Sequence, residues 1–366
     1  MNKNIYFISG ARSPNKPVGI RHMNIIKHLC KINNITVHHL KRKGLFNNSL
    51  LIKMIHRIPF IIDNTYFYLK NVKHNIDHDF SNNKYDVVIL SVLPFSFLHL
   101  AKYIKRRYST PIVVDMTDPI SINVGLDNRG WIRKNILLGF EKKYLPYVDH
   151  LVVLSDYIRD YYNKLFPKMN ISVIEQGHNI DGIFNNTGKN RDYDDHISLV
   201  YAGVFYKKIR EPFELYSAIS RLENVKLSIY GKFKNRYIYH CNNIYYPGQL
   251  SQDEIYEIYR SSDVVVLLDN FKGIQVPGKI YEVLSTNKPI LFIYNNPESP
   301  SKYIASNYDG VFYSKNKAEC IIEAINKIIK ANKYQYNRDL RQYTWEYIVN
   351  NKYQKLLNAV INNHSS

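Results

Sequence analysis

At 366 residues the chain is long enough for two α/β domains with separate cores, and 45% hydrophobic with 22% charged residues is an ordinary globular composition. Fifty Lys+Arg against 31 Asp+Glu give a net charge of +19, which favours polyanionic partners: nucleic acid, an anionic bilayer or diphosphate-linked substrates. Three scattered cysteines, Cys30, Cys241 and Cys320, exclude a disulfide scaffold and a cysteine metal site, and no apolar run reaches the roughly 18 residues of a membrane span.

Met1 leads straight into residues 4–9, an apolar strand that ends at Gly10, so no signal peptide is expected. The loop 11–19 carries Arg12, Pro14, Lys16, Pro17 and Gly19, and residues 21–32, starting at Arg21, read as a helix. Strand, glycine-containing loop and helix make the first unit of a Rossmann-like half, although no Gly-x-Gly-x-x-Gly is present. Residues 35–40 are the second strand. The stretch 45–69 mixes Leu, Ile, Met and Phe with Lys53, His56 and Arg57; it is either a buried helix with solvated flanks or an interfacial element on lipid headgroups. Eleven basic residues precede Asp63, the first acidic residue, and Lys41, Arg42 and Lys43 are among them.

Residues 86–91 and 111–115 read as strands with the helix 95–107 between them. Asp115-Met116-Thr117-Asp118-Pro119 then lies at a carboxyl strand end, where open α/β sheets bind ligands. Asp118 either meets a ligand there or caps the following turn. A helix over 130–147 places Trp131 and Ile132 among Arg133, Lys134, Lys142 and Lys143. The next strand ends in Ser155, which also suits the cap of a helix over 156–165. Residues 185–196 are polar and loop-like and mark a domain boundary.

The second half repeats the plan. Strand 198–202 runs into Gly203, followed by a loop with Lys207, Lys208 and Arg210. Strand 226–230 ends at Gly231, and residues 244–250, with Pro247-Gly248, lead into a helix over 252–259. The apolar run 264–268 is a buried strand. After a polar turn, Pro277 is suited to the first position of a helix reaching about Asn287. Gly278 leaves its backbone approachable, and Lys279 and Glu282 share a helix face. A helix start with a glycine and a lysine suits an anion, and a glutamate one turn on suits a hydroxyl. Without a ligand the same two side chains simply pair in solvent. Strand 290–293, helix 317–330 and a last helix from Trp345 to about Asn362 complete the chain.

Other chemistry finds little footing. Asp77-His78-Asp79 and Asp192-Tyr193-Asp194 lie in polar stretches and not at strand ends, so no metal is expected. The 13 histidines show no zinc spacing, and neither a nucleophile elbow nor a Walker A sequence occurs.

The stretch Pro277-Gly278-Lys279-Ile280-Tyr281-Glu282, with Asn287-Lys288-Pro289 after it, resembles the donor motif of retaining, family-four-like glycosyltransferases of the GT-B fold. The loop after Gly203 resembles that family's phosphate loop, and residues 171–184 resemble its hinge. The resemblance implies an α/β chain of two Rossmann-like domains facing a central cleft. Residues 1–185 would be the acceptor domain, 186–335 the nucleotide-sugar domain, and 336–366 a helix returning to the first. It implies a donor site of Gly203, Lys208, Arg210, Gly231, Gly248, Gly278, Lys279 and Glu282, with Glu282 on the ribose. Gly10 and Arg21 would stand on the acceptor side. The family's first glutamate falls on Ile274, so its nearest polar substitute, Gln275, joins Asp118 as a catalytic candidate.

The expected activity is transfer of a sugar, with retention, from a nucleotide-sugar to a glycan or a polyprenyl-diphosphate-linked acceptor. No cofactor or metal is implied. The basic N-terminal half suits an anionic membrane surface, hence a peripheral protein on the cytoplasmic face working in lipopolysaccharide, capsule or similar synthesis. An epimerase or phosphorylase on the same fold is the alternative. A nucleic-acid-binding protein is the other, though no single-strand or helix-turn-helix signature supports it.

Overall fold

Among the described residues every named strand joins one of two six-stranded sheets, and every pairing is parallel. The computed structural model describes residues 2–10, 17–39, 62–123, 130–179, 196–271 and 276–365. The chain divides into two units, Met1–Gly177 with Tyr343–Ser366, and His178–Gln342.

In the first unit β1 (Asn4–Ser9), β2 (Asn34–His39), β3 (Val87–Ser91), β4 (Ile112–Asp115), β5 (His150–Val153) and β6 (Ile171–Val173) lie in the order β2-β1-β3-β4-β5-β6. In the second, β7 (Ile197–Ala202), β8 (Val225–Tyr230), β9 (Ile244–Gly248), β10 (Val264–Leu268), β11 (Ile290–Tyr294) and β12 (Val311–Lys315) lie in the order β12-β11-β10-β7-β8-β9. Central strands such as Val-Val-Ile-Leu-Ser and Val-Val-Val-Leu-Leu are buried at every residue, as a sheet covered on both faces requires. Each sheet starts with one strand, builds to one side of it, then crosses to the other. The order therefore reverses between β1 and β3, and again between β7 and β10. Loops leaving the strands at a reversal diverge and open a crevice at the carboxyl edge.

The element boundaries differ from the sequence reading by a residue or two in most places. The larger departure is the helix Leu69–Asn82, which the sequence did not announce because only Leu69, Val72 and Ile76 of its 14 residues are buried. Residues 45–61, with Lys53, His56 and Arg57, and Lys41 to Lys43 lie outside the described residues.

The last helical run belongs to the first unit. Trp345–Tyr347, a π-helical turn Ile348–Tyr353 and the helix Gln354–Ser365 bury Trp345, Ile348, Val349, Tyr353 and Leu357 against Ile5, Phe7, Val87, Ile89, Val113 and Val152 of the sheet. Gly177 is required there, since a Cβ on it would stand 2.4 Å from the Trp345 ring. The second core joins Leu199, Leu227, Ile229, Val266 and Leu291 to Ile321, Ile325 and Ile328 of the helix Ala318–Ala331.

Arg21 is part of this interior, which corrects its expected place on the acceptor side. It is 0% exposed, and its Nε donates to Asp115 Oδ2 at 2.9 Å. Its Nη1 donates to the Glu175 carbonyl at 2.7 Å, and Nη2 to the Ile174 carbonyl at 3.0 Å and the Tyr353 hydroxyl at 3.2 Å. Tyr353 in turn donates to Asp115 Oδ2 at 2.6 Å. A guanidinium committed in this way ties β4, β6 and the last helix together and has no face left for a substrate. Breaking a buried pair strands a charge at a cost of about 3–5 kcal/mol. Arg21→Ala is expected to lower unfolding stability by about that amount, read from urea denaturation; a loss under about 1 kcal/mol would mean the pair is not structural.

Candidate functional site

Three of the expected glycines stand side by side at the carboxyl edge of the second sheet. Gly203 follows β7, Gly231 follows β8 and Gly248 closes β9. The Gly203 N–H donates to the Tyr230 carbonyl at 3.0 Å, and the Gly231 N–H to the Gly248 carbonyl at 2.9 Å. A Cβ on Gly231, whose φ is +143°, would fall 2.1 Å from the Gly203 carbonyl oxygen. A Cβ on Gly203 would fall 2.6 Å from the Tyr201 hydroxyl. Gly248 differs: its φ of +109° requires glycine, yet nothing lies within 4 Å of where its Cβ would be. Gly231 lets its backbone close on that of Gly203, Gly203 leaves room for the Tyr201 hydroxyl, and Gly248 faces open space among the described residues.

Beside them, the loop after β7 sits at the β7/β10 reversal. Tyr206 and Arg210 exchange both backbone hydrogen bonds at 2.9 Å, so residues 206–210 form a closed turn. Lys208 is at its tip, exposed, with φ +61°. The turn is docked on the loop after β10: the Phe271 N–H donates to the Ile209 carbonyl at 2.7 Å, and Arg210 Nη2 donates to Asn270 Oδ1 at 2.8 Å. Arg210 Nε is buried and has no well-formed hydrogen bond among the described residues. Asp269, 2% exposed, accepts from the Ser299 hydroxyl, and burial pushes its titration above the usual carboxylate range. Asp269 and Asn270 were missed from the sequence, although a polar pair closing the apolar run 264–268 at a sheet's carboxyl edge is a usable signal.

The third part is Gly278, Lys279 and Glu282. Gly278 is exposed and begins the helix Lys279–Leu284. That helix has six residues, not the span expected from Pro277 to about Asn287. Ser285 and Thr286 fold their hydroxyls back on the carbonyls of Glu282 and Val283, at 2.7 Å each, and Asn287 turns to φ +54°. The buried guanidinium of Arg338 takes the carbonyls of Leu284, Lys288 and Asp309. So short a helix carries little dipole, so the expected helix-start anion site reduces to the charge of Lys279. Lys279 Nζ donates to Glu282 Oε1 at 2.5 Å, and the Glu282 side chain is 12% exposed. Burial lowers the titration of Lys288 nearby. Gln275 lies outside the described residues, as does Ile274.

Residues 183–346 match the family described as Glycosyl transferases group 1. This segment is a glycosyl transferases group 1 domain. Among curated protein sequences none matches the chain. Among solved structures it is similar to sucrose-phosphate synthase from Thermosynechococcus elongatus, with TM-score 0.65, 12% identity, and 98% of this chain and 95% of that one covered. It is also similar to HepE from Anabaena in complex with UDP and glucose, at TM-score 0.61 and 10% identity over 100% and 98% of the chains. The lipopolysaccharide outer core galactosyltransferase WaaB, in its apo form, aligns at TM-score 0.57 and 14% identity over 99% and 98%. At these identities the likeness is one of fold: two Rossmann-like α/β domains of the GT-B kind.

The group 1 domain thus holds Gly203, Lys208, Arg210, Gly231, Gly248, Gly278, Lys279 and Glu282, all within the unit His178–Gln342. In the other unit, Gly10 follows β1 at the β1/β3 reversal, where a Cβ would meet Pro94 Cδ at 2.2 Å and the Leu93 carbonyl at 2.5 Å. Asp118 is half-buried in the loop after β4. Buried Glu141 holds that loop by accepting from the Ile120 N–H at 3.1 Å, the Ser121 N–H at 3.3 Å and the Tyr162 hydroxyl. Burial also pushes Glu141 above the carboxylate range. Ser155 caps the helix Asp156–Leu165 by accepting from the Ile158 N–H. Asp77 accepts from Tyr103, and Asp79 from Tyr6 at 2.6 Å, so that triplet serves packing. The triplet at Asp192 lies outside the described residues.

The glycine contact gives a test within the group 1 domain. Gly231→Ala combines an unfavourable φ with a clash against fixed backbone and is expected to destabilise the domain by about 2 kcal/mol or more. Gly248→Ala meets only the φ penalty, about 1 kcal/mol. Thermal denaturation of the two variants reads the difference, and equal losses would contradict the close backbone approach.

Proposed function

We propose that the chain is a retaining glycosyltransferase that moves a sugar from a nucleotide-sugar to a glycan or a polyprenyl-diphosphate-linked acceptor. The observation that carries this is Arg210, fixed by Asn270 at the sheet reversal with Nε unpaired among the described residues, in the same domain as the exposed Lys208 and the Lys279–Glu282 pair. A guanidinium grips two oxygens of a diphosphate at once, and lysines add point charges. Lys208, Arg210 and Lys279 stabilise the charge that develops on the departing diphosphate. That supply of positive charge lets the reaction run without a metal. Glu282 accepts from the ribose hydroxyls, and Gly248 leaves room at the nucleobase end. Asp118 meets the acceptor hydroxyl, and Gln275 meets the donor sugar. The acceptor attacks on the face that the diphosphate leaves, so configuration is kept. The HepE complex, whose ligands are UDP and glucose, supports a nucleotide-sugar as donor.

An anionic membrane surface is the partner proposed for the first unit, with the protein peripheral on the cytoplasmic face. Trp131 and Ile132 are 77% and 68% exposed at the start of the helix Gly130–Tyr144, and Lys134, Lys142 and Lys143 are exposed along it. Aromatic and aliphatic groups ringed by lysine suit a headgroup layer. Among the described residues no helix is long and apolar enough to cross a membrane. The likeness to WaaB supports a role in lipopolysaccharide, capsule or related surface-glycan synthesis.

Glu282→Ala is expected to weaken nucleoside-diphosphate binding about tenfold, or about 1.4 kcal/mol, with at most a small change in melting temperature, because a helix accepts alanine well and Lys279, 31% exposed, is left to solvent. The triple variant Lys208→Ala, Arg210→Ala, Lys279→Ala should slow sugar transfer while sparing a nucleoside without phosphates. Parental affinity in the first variant, or parental rates in the second, would remove those residues from the site.

Sedimentation with vesicles tests the membrane partner. The protein is expected to bind vesicles containing anionic lipid, to leave neutral ones, and to be released by high salt. Trp131→Ala with Lys134→Glu should reduce binding several-fold. Equal binding to neutral and anionic vesicles would overturn the proposal.

A further inference from the structure

Beneath the Lys279–Glu282 pair lies a tyrosine that the reading above leaves idle. Tyr259 sits on the helix Gln252–Ser261, whose start is fixed by a capping box between Ser251 and Glu254. Ile255 and Tyr259, four apart, are the buried residues of that helix, and Tyr259 is 0% exposed. Its ring lies 6.0 Å from Lys279 Nζ, the same nitrogen that is bonded to Glu282 Oε1. Among the described residues its hydroxyl makes no well-formed hydrogen bond, and it lies beside the Glu282 carboxylate. Burial first, and then the nearby Glu282 carboxylate, hold this phenol well above its ordinary titration range, so it remains a donor at any working pH.

A buried hydroxyl without a partner is expensive, and phenylalanine would fill the same space without that cost. In the resting state the tyrosine hydroxyl lies beside Glu282 without a well-formed bond, because Lys279 holds the carboxylate. If Lys279 is drawn to a phosphate oxygen, Glu282 loses the cation that holds it at 2.5 Å while remaining mostly buried. A buried carboxylate then needs a replacement donor, and the Tyr259 hydroxyl is beside it.

We propose that Tyr259 is a positioning residue for the donor site: in the nucleotide-bound state its hydroxyl donates to Glu282, replacing Lys279 and fixing the carboxylate toward the ribose. The proposal rests on Glu282 serving the nucleotide, as read above.

Calorimetric titration of UDP, GDP, ADP and CDP into the parental protein and into Tyr259→Phe, Glu282→Ala and the double variant tests this. The parental protein is expected to bind at least one of the four. Glu282→Ala and Tyr259→Phe should each weaken that nucleotide about tenfold. Tyr259→Phe should keep or raise the melting temperature of the free protein. The double variant should bind no more weakly than Glu282→Ala alone, because Tyr259 acts only through that carboxylate. If Glu282→Ala weakens binding and Tyr259→Phe does not, the inference fails while the donor-site reading stands. Additive losses, or a lowered melting temperature in Tyr259→Phe, would make Tyr259 a packing residue and overturn the inference. If the parental protein binds none of the four, or Glu282→Ala binds as the parent does, the donor-site reading fails and the inference with it.

Discussion

Parallel strands all deliver their following loops to the same edge, about 4.8 Å apart. Wherever the strand order reverses, the loops on either side must part, and elsewhere they must pass close. This constraint explains the glycines that stand after β1 and after β8. Gly10 follows β1 and is pressed against Leu93 and Pro94 after β3, across the reversal of the first sheet. Gly203 follows β7, and its carbonyl fills the space that a Gly231 side chain would need. With side chains excluded from the inner edge, charge has to arrive from further along the loops. Arg210 does so from a closed turn, and Lys279 from the first position of a short helix.

The same economy governs how the loops are held. A turn that docks through one backbone hydrogen bond, Phe271 to Ile209, and one side-chain bond, Arg210 to Asn270, keeps its tip free for a ligand. Behind the edge each unit places a buried carboxyl under a loop. Glu141 carries the backbone of Ile120 and Ser121 near Asp118, and Asp269 carries the Ser299 hydroxyl next to Asn270. Burial raises the titration of both.

Much of this was legible because local signals and the fold agree. The runs 4–9 and 264–268, the Ser155 cap and the helix after it, and the glycines closing β7 and β8 follow from apolar continuity and turn chemistry. What could not be read depends on partners far away in sequence. Arg21 looks like a free cation at a helix start until Asp115, 94 residues on, and Tyr353, 332 residues on, are brought to it. The motif helix looks three turns long until Arg338, 54 residues beyond Leu284, takes its last carbonyls. The helix Leu69–Asn82 was hidden for the opposite reason: it buries too few residues to impose a period. Long-range pairing therefore moved Arg21 from the expected site into the interior, while the strands read from apolar runs stayed in place.

The pairing of Lys279 with Glu282 also bears on selectivity. In the resting state each neutralises the other, so the motif costs the fold little. On the proposed reading a nucleotide must break that pair, and it offers a replacement to each side: phosphate to the lysine and ribose hydroxyls to the glutamate. A free diphosphate replaces only the first partner and leaves the glutamate, 12% exposed, to the Tyr259 hydroxyl alone. A nucleoside replaces only the second and leaves the lysine, 31% exposed, to solvent. Exchanging both partners is close to neutral, whereas losing one from a partly buried pair is not. On that reading the two halves of the ligand bind better joined than their separate affinities imply.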